Sequence, residues 1–142
     1  MKNQINYNYE TNFSIDSEEG YSDWICRVIN SEGRLCSELS YIFCDDAYLL
    51  EINKEYLNHN TYTDIITFDY STPNSISGDL FISIERVKDN AQKFGISELE
   101  ELRRVMVHGV LHLLGYKDKE ESEIAEMRLK EEEKLEMFHV EQ

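Results

Sequence analysis

The chain has 142 residues, 41% of them hydrophobic, with one proline and six glycines. That is enough for one sizeable core and leaves no low-complexity linker, so a single domain over residues 1–142 is expected. Twenty-nine acidic against 14 basic residues give a formal net charge of −15, which argues against broad, nonspecific binding to nucleic-acid phosphates.

Residues 4–9 alternate polar and apolar and read as an opening strand. Residues 16–31 carry Tyr21, Trp24, Ile25, Val28 and Ile29 at helical spacing behind the capping candidates Asp16 and Ser17, and Gly33 closes that helix. Leu35 to Cys44 alternates through Leu39, Tyr41 and Phe43 as a strand. Asp45 and Asp46 then cap a helix whose stripe is Leu49, Ile52 and Tyr56. Ile65 to Tyr70 is a short buried strand, Thr72-Pro-Asn-Ser a turn, and Gly78 to Ile84 a second strand that pairs with the first as a hairpin. A short helix carrying Val87, Ala91 and Phe94 ends at Gly95.

Ser97 and Glu100 form a capping box for the next helix. It is apolar on nearly every side, through Leu99, Leu102, Val105, Met106, Val107, Val110, Leu111, Leu113 and Leu114, and such a helix is normally buried. Lys119 to Phe138 is heavily charged, with a thin stripe of Ile124, Met127, Leu135 and Phe138; it reads as a surface helix with Glu131, Glu132 and Glu133 on a solvated face. This order predicts an α/β (α+β) domain with one mixed sheet of about four strands and helices packed against it. Cys26, Cys36 and Cys44 are odd in number and form no Cys-x-x-Cys pair, so they read as reduced, small hydrophobes. No apolar run approaches a membrane span and the first residues lack the apolar stretch of a signal peptide, so a cytoplasmic protein without a membrane partner is expected.

The chemistry gathers on the buried helix. His108 and His112 are four residues apart, so both imidazoles project from one face about a turn apart. Gly115 can take the left-handed conformation that ends a helix and turns the chain back, so that Asp118 supplies a third ligand. Asp118 is also a candidate N-cap for the helix that follows. The pattern His-x-x-x-His-x-x-Gly-x-x-Asp matches the three ligands and one open position of catalytic zinc. Zinc peptidases of similar spacing place a glutamate directly after the first histidine as general base. Here that residue is Gly109, which disfavours a peptidase.

His108-Gly-Val-Leu-His112-Leu-Leu-Gly-Tyr116 resembles the signature of the YbeY family of endoribonucleases, also called rRNA maturation factors. Leu50-Glu-Ile-Asn-Lys-Glu-Tyr56, Thr63-Asp-Ile-Ile-Thr-Phe68 and Gly78-Asp-Leu-Phe-Ile82 resemble the family's other blocks in the family's order, over roughly residues 35–135. The resemblance implies the same architecture and a zinc-dependent hydrolase with one Zn2+ on His108, His112 and Asp118. It also implies single-strand-specific cleavage that matures the 3′ end of small-subunit rRNA. The partners would be rRNA and the small ribosomal subunit or its assembly proteins, with no DNA expected.

Two positions depart from the family pattern. Asp118 stands where the family usually has a histidine, and carboxylate oxygen also binds zinc. Leu57 follows Tyr56 where the family usually has an arginine, and leucine cannot hold a phosphate as guanidinium does. Leu57 and the negative charge keep a second reading open, a noncatalytic ribosome assembly factor stabilised by its metal. No catalytic residue is assigned. Asp64 and Glu85 are acidic residues at the ends of predicted strands, and each also reads as a turn cap or helix N-terminal acid. Lys54, Arg86, Arg103 and Arg104 are candidates for a local basic strip.

Overall fold

Successive strand residues point to opposite faces, and the apolar runs Tyr41-Ile42-Phe43-Cys44 and Leu80-Phe81-Ile82 make both faces of the sheet apolar, so each must be covered. In the computed structural model, which describes residues 5–59 and 61–140, the strands are β1 (Ile5–Tyr9), β2 (Leu35–Cys44), β3 (Ile65–Asp69) and β4 (Ser75–Ser83). Position 4 of the expected first strand lies outside the described residues. The sheet order is β1-β2-β4-β3, with β1–β2 and β2–β4 parallel and β3–β4 the expected antiparallel hairpin. The expected single domain with a mixed, four-stranded sheet is what forms, and β3 lies at one edge of it.

One face carries Ile5, Leu39, Tyr41, Phe43, Ile76, Leu80 and Ile82, packed with apolar residues of α1 (Glu18–Ser31), α3 (Ile84–Phe94) and α4 (Glu98–Leu113). The opposite face is smaller: Cys44, Ile66, Phe68 and Phe81 pack with Leu49 and Ile52 of α2 (Asp46–Leu57). The final helix, α5 (Glu121–Val140), lies beside α1 and α4, and the Trp24 indole donates to the Lys134 carbonyl at 2.8 Å.

The local signals read from the sequence operate as expected at most helix ends. Ser17 caps α1, accepting from Gly20 N, and Asp45 caps α2, accepting from Tyr48 N. Ser97 and Glu100 form both bonds of the capping box on α4. Gly95 ends α3 with φ +69°, the left-handed region that glycine enters at little cost. Some apolar residues assigned to buried stripes are instead exposed: Tyr56, Phe94, Leu99 and Ile124. Cys26 and Cys36, far from a Cys-x-x-Cys spacing, are brought together as free thiols by α1 and β2.

Gly109 marks where α4 meets the sheet. A Cβ there would stand 2.6 Å from Leu80 Cδ2 and 2.7 Å from Ile65 Cδ1. The position therefore faces β3 and β4 and is reserved for close packing, and a glutamate there would have to displace the core. The peptidase reading fails on sterics as well as on the missing base.

Candidate metal centre

α4 turns His108 and His112 toward the β3 edge, into a cleft of about 680 Å³ whose walls include Leu57, Tyr62, Asp64, Thr67, Asp118 and Lys119. Asp118 reaches it because α4 ends in a Schellman motif. Gly115 takes φ +109°, its N–H bonds to the His112 carbonyl at 3.0 Å, and the Tyr116 N–H bonds back to Leu111 at 3.0 Å. The reversed chain is tied down by the Tyr116 hydroxyl, which donates to Glu32 Oε1 at 2.8 Å.

The three predicted ligands converge. His108 Nε2 and His112 Nε2 lie 3.1 Å apart, and Asp118 Oδ2 is 3.4 Å from the first and 3.3 Å from the second. A tetrahedral zinc with bonds of about 2.0–2.1 Å has ligand-to-ligand edges of roughly 3.3 Å. The other nitrogens are engaged: His112 Nδ1 lies 3.0 Å from the Tyr116 carbonyl, and His108 Nδ1 lies 2.6 Å from Glu131 Oε2. Acceptors at both Nδ1 positions fix the tautomers and leave two Nε2 lone pairs facing each other. A cation between them relieves that opposition, so the residues present fit a metal ion.

Asp118 is not the cap of α5. The N–H groups of Lys119 and Glu120, just ahead of α5, bond to Glu123 Oε1, and Ile124 N bonds to the Glu120 carbonyl. Asp118 is left to the histidines.

Other residues belong to the surroundings of the site. Glu131, read from the sequence as part of a solvated run, is buried on α5 and touches His108. Arg104, on the α4 turn before His108, makes two bonds to the fully buried Glu101 at 3.0 and 2.8 Å, lies 3.4 Å from both Glu131 oxygens and reaches Asp64 Oδ2 at 3.9 Å. The bonds to Glu101 hold its guanidinium firmly charged. Asp64 lines the cleft, and burial pushes its carboxyl above the ordinary range even though Arg104 and His108 pull the other way. The spacing alone offered one signal for Glu131: it falls four residues after Met127 and four before Leu135, on the apolar stripe of α5, though the spacing does not name its partner.

Glu85 is elsewhere, accepting from the Asp46 N–H at the start of α2. The other basic candidates are also engaged in the fold. Arg86 bonds Asp46, Arg103 packs over Phe138 and Tyr21, and exposed Lys54 pairs with Glu51. Leu57 is at the cleft, where the family pattern would put an arginine.

A profile of the family described as Endoribonuclease YbeY matches residues 4–139. Relatives named Endoribonuclease YbeY include those of Flavobacterium johnsoniae, 59% identical over 97% of this chain and 99% of that protein, and Flavobacterium psychrophilum, 56% identical over 97% and 99%. The relative from Christiangramia forsetii is 51% identical over 99% of both chains. The solution structure of TM1509 from Thermotoga maritima superposes with a TM-score of 0.62 over 96% of this chain and 90% of that one; at 21% identity this likeness concerns the fold alone. With a match across nearly its whole length and relatives above half identity, the chain belongs to the endoribonuclease YbeY family.

Proposed function

We propose that the cleft beside β3 is the active site of a metal-dependent endoribonuclease that cuts single-stranded rRNA and matures the 3′ end of small-subunit rRNA. The observation that carries this is the triangle of His108 Nε2, His112 Nε2 and Asp118 Oδ2 at 3.1–3.4 Å, open to a cleft. Family membership supplies the reaction class, hydrolysis of RNA, and does not favour a noncatalytic assembly factor. The partners proposed are the small ribosomal subunit and its assembly proteins, and the compartment is the cytoplasm. Among the described residues no helix is long and apolar enough to cross a membrane.

Charge supports a cation at the site. Asp64, Glu101, Glu131 and Asp118 cluster with a single guanidinium, that of Arg104. The ion proposed is zinc, from the two-imidazole, one-carboxylate donor set. Bound there, it supplies a Lewis acid for a phosphoryl oxygen and lowers the pKa of water.

The chain's own groups do the rest. Asp64, kept partly desolvated in the cleft wall, is assigned the proton taken from the attacking water. Lys119 offers a charge for a phosphate, while Leu57 and Tyr62 present apolar surface on which a base can lie.

The test is cleavage of a small-subunit rRNA precursor by the purified protein beside His112→Ala. Cleavage by the first alone, lost on chelation and restored by zinc, is the expected result. Equal activity of the two, or none from either with metal bound, would overturn the assignment.

A further inference from the structure

We infer that Glu131 is a positioning residue of the metal centre, holding His108 in the tautomer and orientation that aim Nε2 at the cation. This rests on the metal reading above and adds a residue from a different element. The two histidines are not supported alike. His112 Nδ1 meets a neutral carbonyl, that of Tyr116, at 3.0 Å, whereas His108 Nδ1 meets a carboxylate oxygen at 2.6 Å. A carboxylate on the far nitrogen fixes the tautomer and raises the electron density that the near nitrogen donates.

The contact is built rather than incidental. Glu131 is 5% exposed, and a buried carboxylate needs partners. Arg104 Nη1 lies 3.4 Å from both its oxygens, and Arg104 is itself gripped by Glu101, which is wholly buried. α5 is in turn anchored through buried Met127, through the Trp24 bond to the Lys134 carbonyl, and through the Lys134 ammonium 2.8 Å from Glu32. The neighbouring acids do otherwise: Glu132 is exposed, and Glu133 pairs with Lys130 and Lys134.

The experiment is a cobalt(II) titration of the metal-free, full-length protein, followed by its visible absorption and by competition with a chelator. It compares the parent with Glu131→Gln, Glu132→Gln and His112→Ala. The parent and Glu132→Gln are expected to bind one ion with the same spectrum. Glu131→Gln is expected to bind about 10–100-fold more weakly, with a shifted absorption band, while its metal-free form keeps the parent's circular dichroism. Should Glu131→Gln fail to fold, Glu131→Asp keeps a charge for Arg104 but withdraws the carboxylate from His108, and it is expected to show the same loss. Parent-like affinity and spectrum in the Glu131 variant would overturn the role of Glu131 while leaving the metal centre standing. A parent that binds no cobalt, or binds it as well after His112→Ala, would overturn the metal reading and this one with it.

Discussion

Asp64 is costly to the fold, and the role proposed for it lies in the cleft it lines. Its carboxyl lies in the cleft wall, where burial favours the neutral form and the Arg104 guanidinium, 3.9 Å away, offsets this only in part. The sign follows from linkage: a carboxyl whose folded pKa lies above its unfolded value of about 3.9 favours folding most when protonated, and stability is lost as pH rises through the folded value. The cost therefore grows as the buried carboxyl gives up its proton. Asp64→Asn is therefore expected to melt at a higher temperature than the parent at pH 7, both metal-free, with the difference closing below about pH 4, where Asp64 is protonated in both states. The same variant is expected to lose roughly 10²–10⁴ in kcat on single-stranded RNA while binding one metal ion as before. Thermal melts across pH, with cleavage rates and metal stoichiometry, check both. Full activity in Asp64→Asn would remove it from the proton path.

At the scale of elements, the site depends on how α1, α4 and α5 are tied around the turn that delivers Asp118. Glu32, the C-cap of α1, accepts from the Tyr116 hydroxyl, from Lys130 on α5 and from Lys134. Its partial burial works against the charge, but the bonds from Lys134, Tyr116 and Lys130 outweigh it and bring the carboxyl down to about 2. A depressed carboxyl gives stability that is fully present above its unfolded pKa of about 4.3 and is lost as pH falls toward the folded value. Glu32→Gln is expected to be less stable than the parent at pH 7 and to approach it near pH 2, read by denaturant unfolding at each pH. A constant gap would show that Glu32 acts through packing alone. Elements of this kind were largely legible beforehand, because Ser17, Asp45, Ser97, Gly95 and Gly115 act on chain within a few residues of themselves. Glu131 and Arg104 were not read in their roles. The contacts that join them to the site span 23 residues, Glu131 to His108, and 27 residues, Arg104 to Glu131, between two helices, so the chain around each showed only a run of acids and a candidate for a basic strip.

For the whole molecule the governing fact is a net charge of −15 on a protein whose substrate is a polyanion. The candidate ligand triangle and the family were visible in one motif, but the consequence of this charge depends on what lines the cleft. Of the basic candidates, Arg86, Arg103 and Arg104 are engaged within the fold, while Lys119 and the apolar Leu57 and Tyr62 face the cleft. On the proposed reading, association would be opposed by long-range repulsion and held at short range by stacking and one or a few phosphate contacts. Salt acts on these in opposite directions, weakening the repulsion over distance while releasing few counterions at contact. At a fixed level of divalent cation, kcat/KM on a short single strand is expected to rise or stay flat as monovalent salt increases from about 20 mM to about 150 mM and the Debye length contracts to about 8 Å. Nucleases that grip many phosphates lose affinity over the same range. Leu57→Arg, which restores a guanidinium at an exposed cleft position, is expected to lower KM and turn the salt dependence negative, by a log–log slope of about −0.7 for one added contact to a single strand. A parent whose kcat/KM already falls steeply with salt would mean that a basic surface outside these residues carries the RNA. A Leu57→Arg protein with unchanged KM and slope would mean that the strand does not pass over the end of α2.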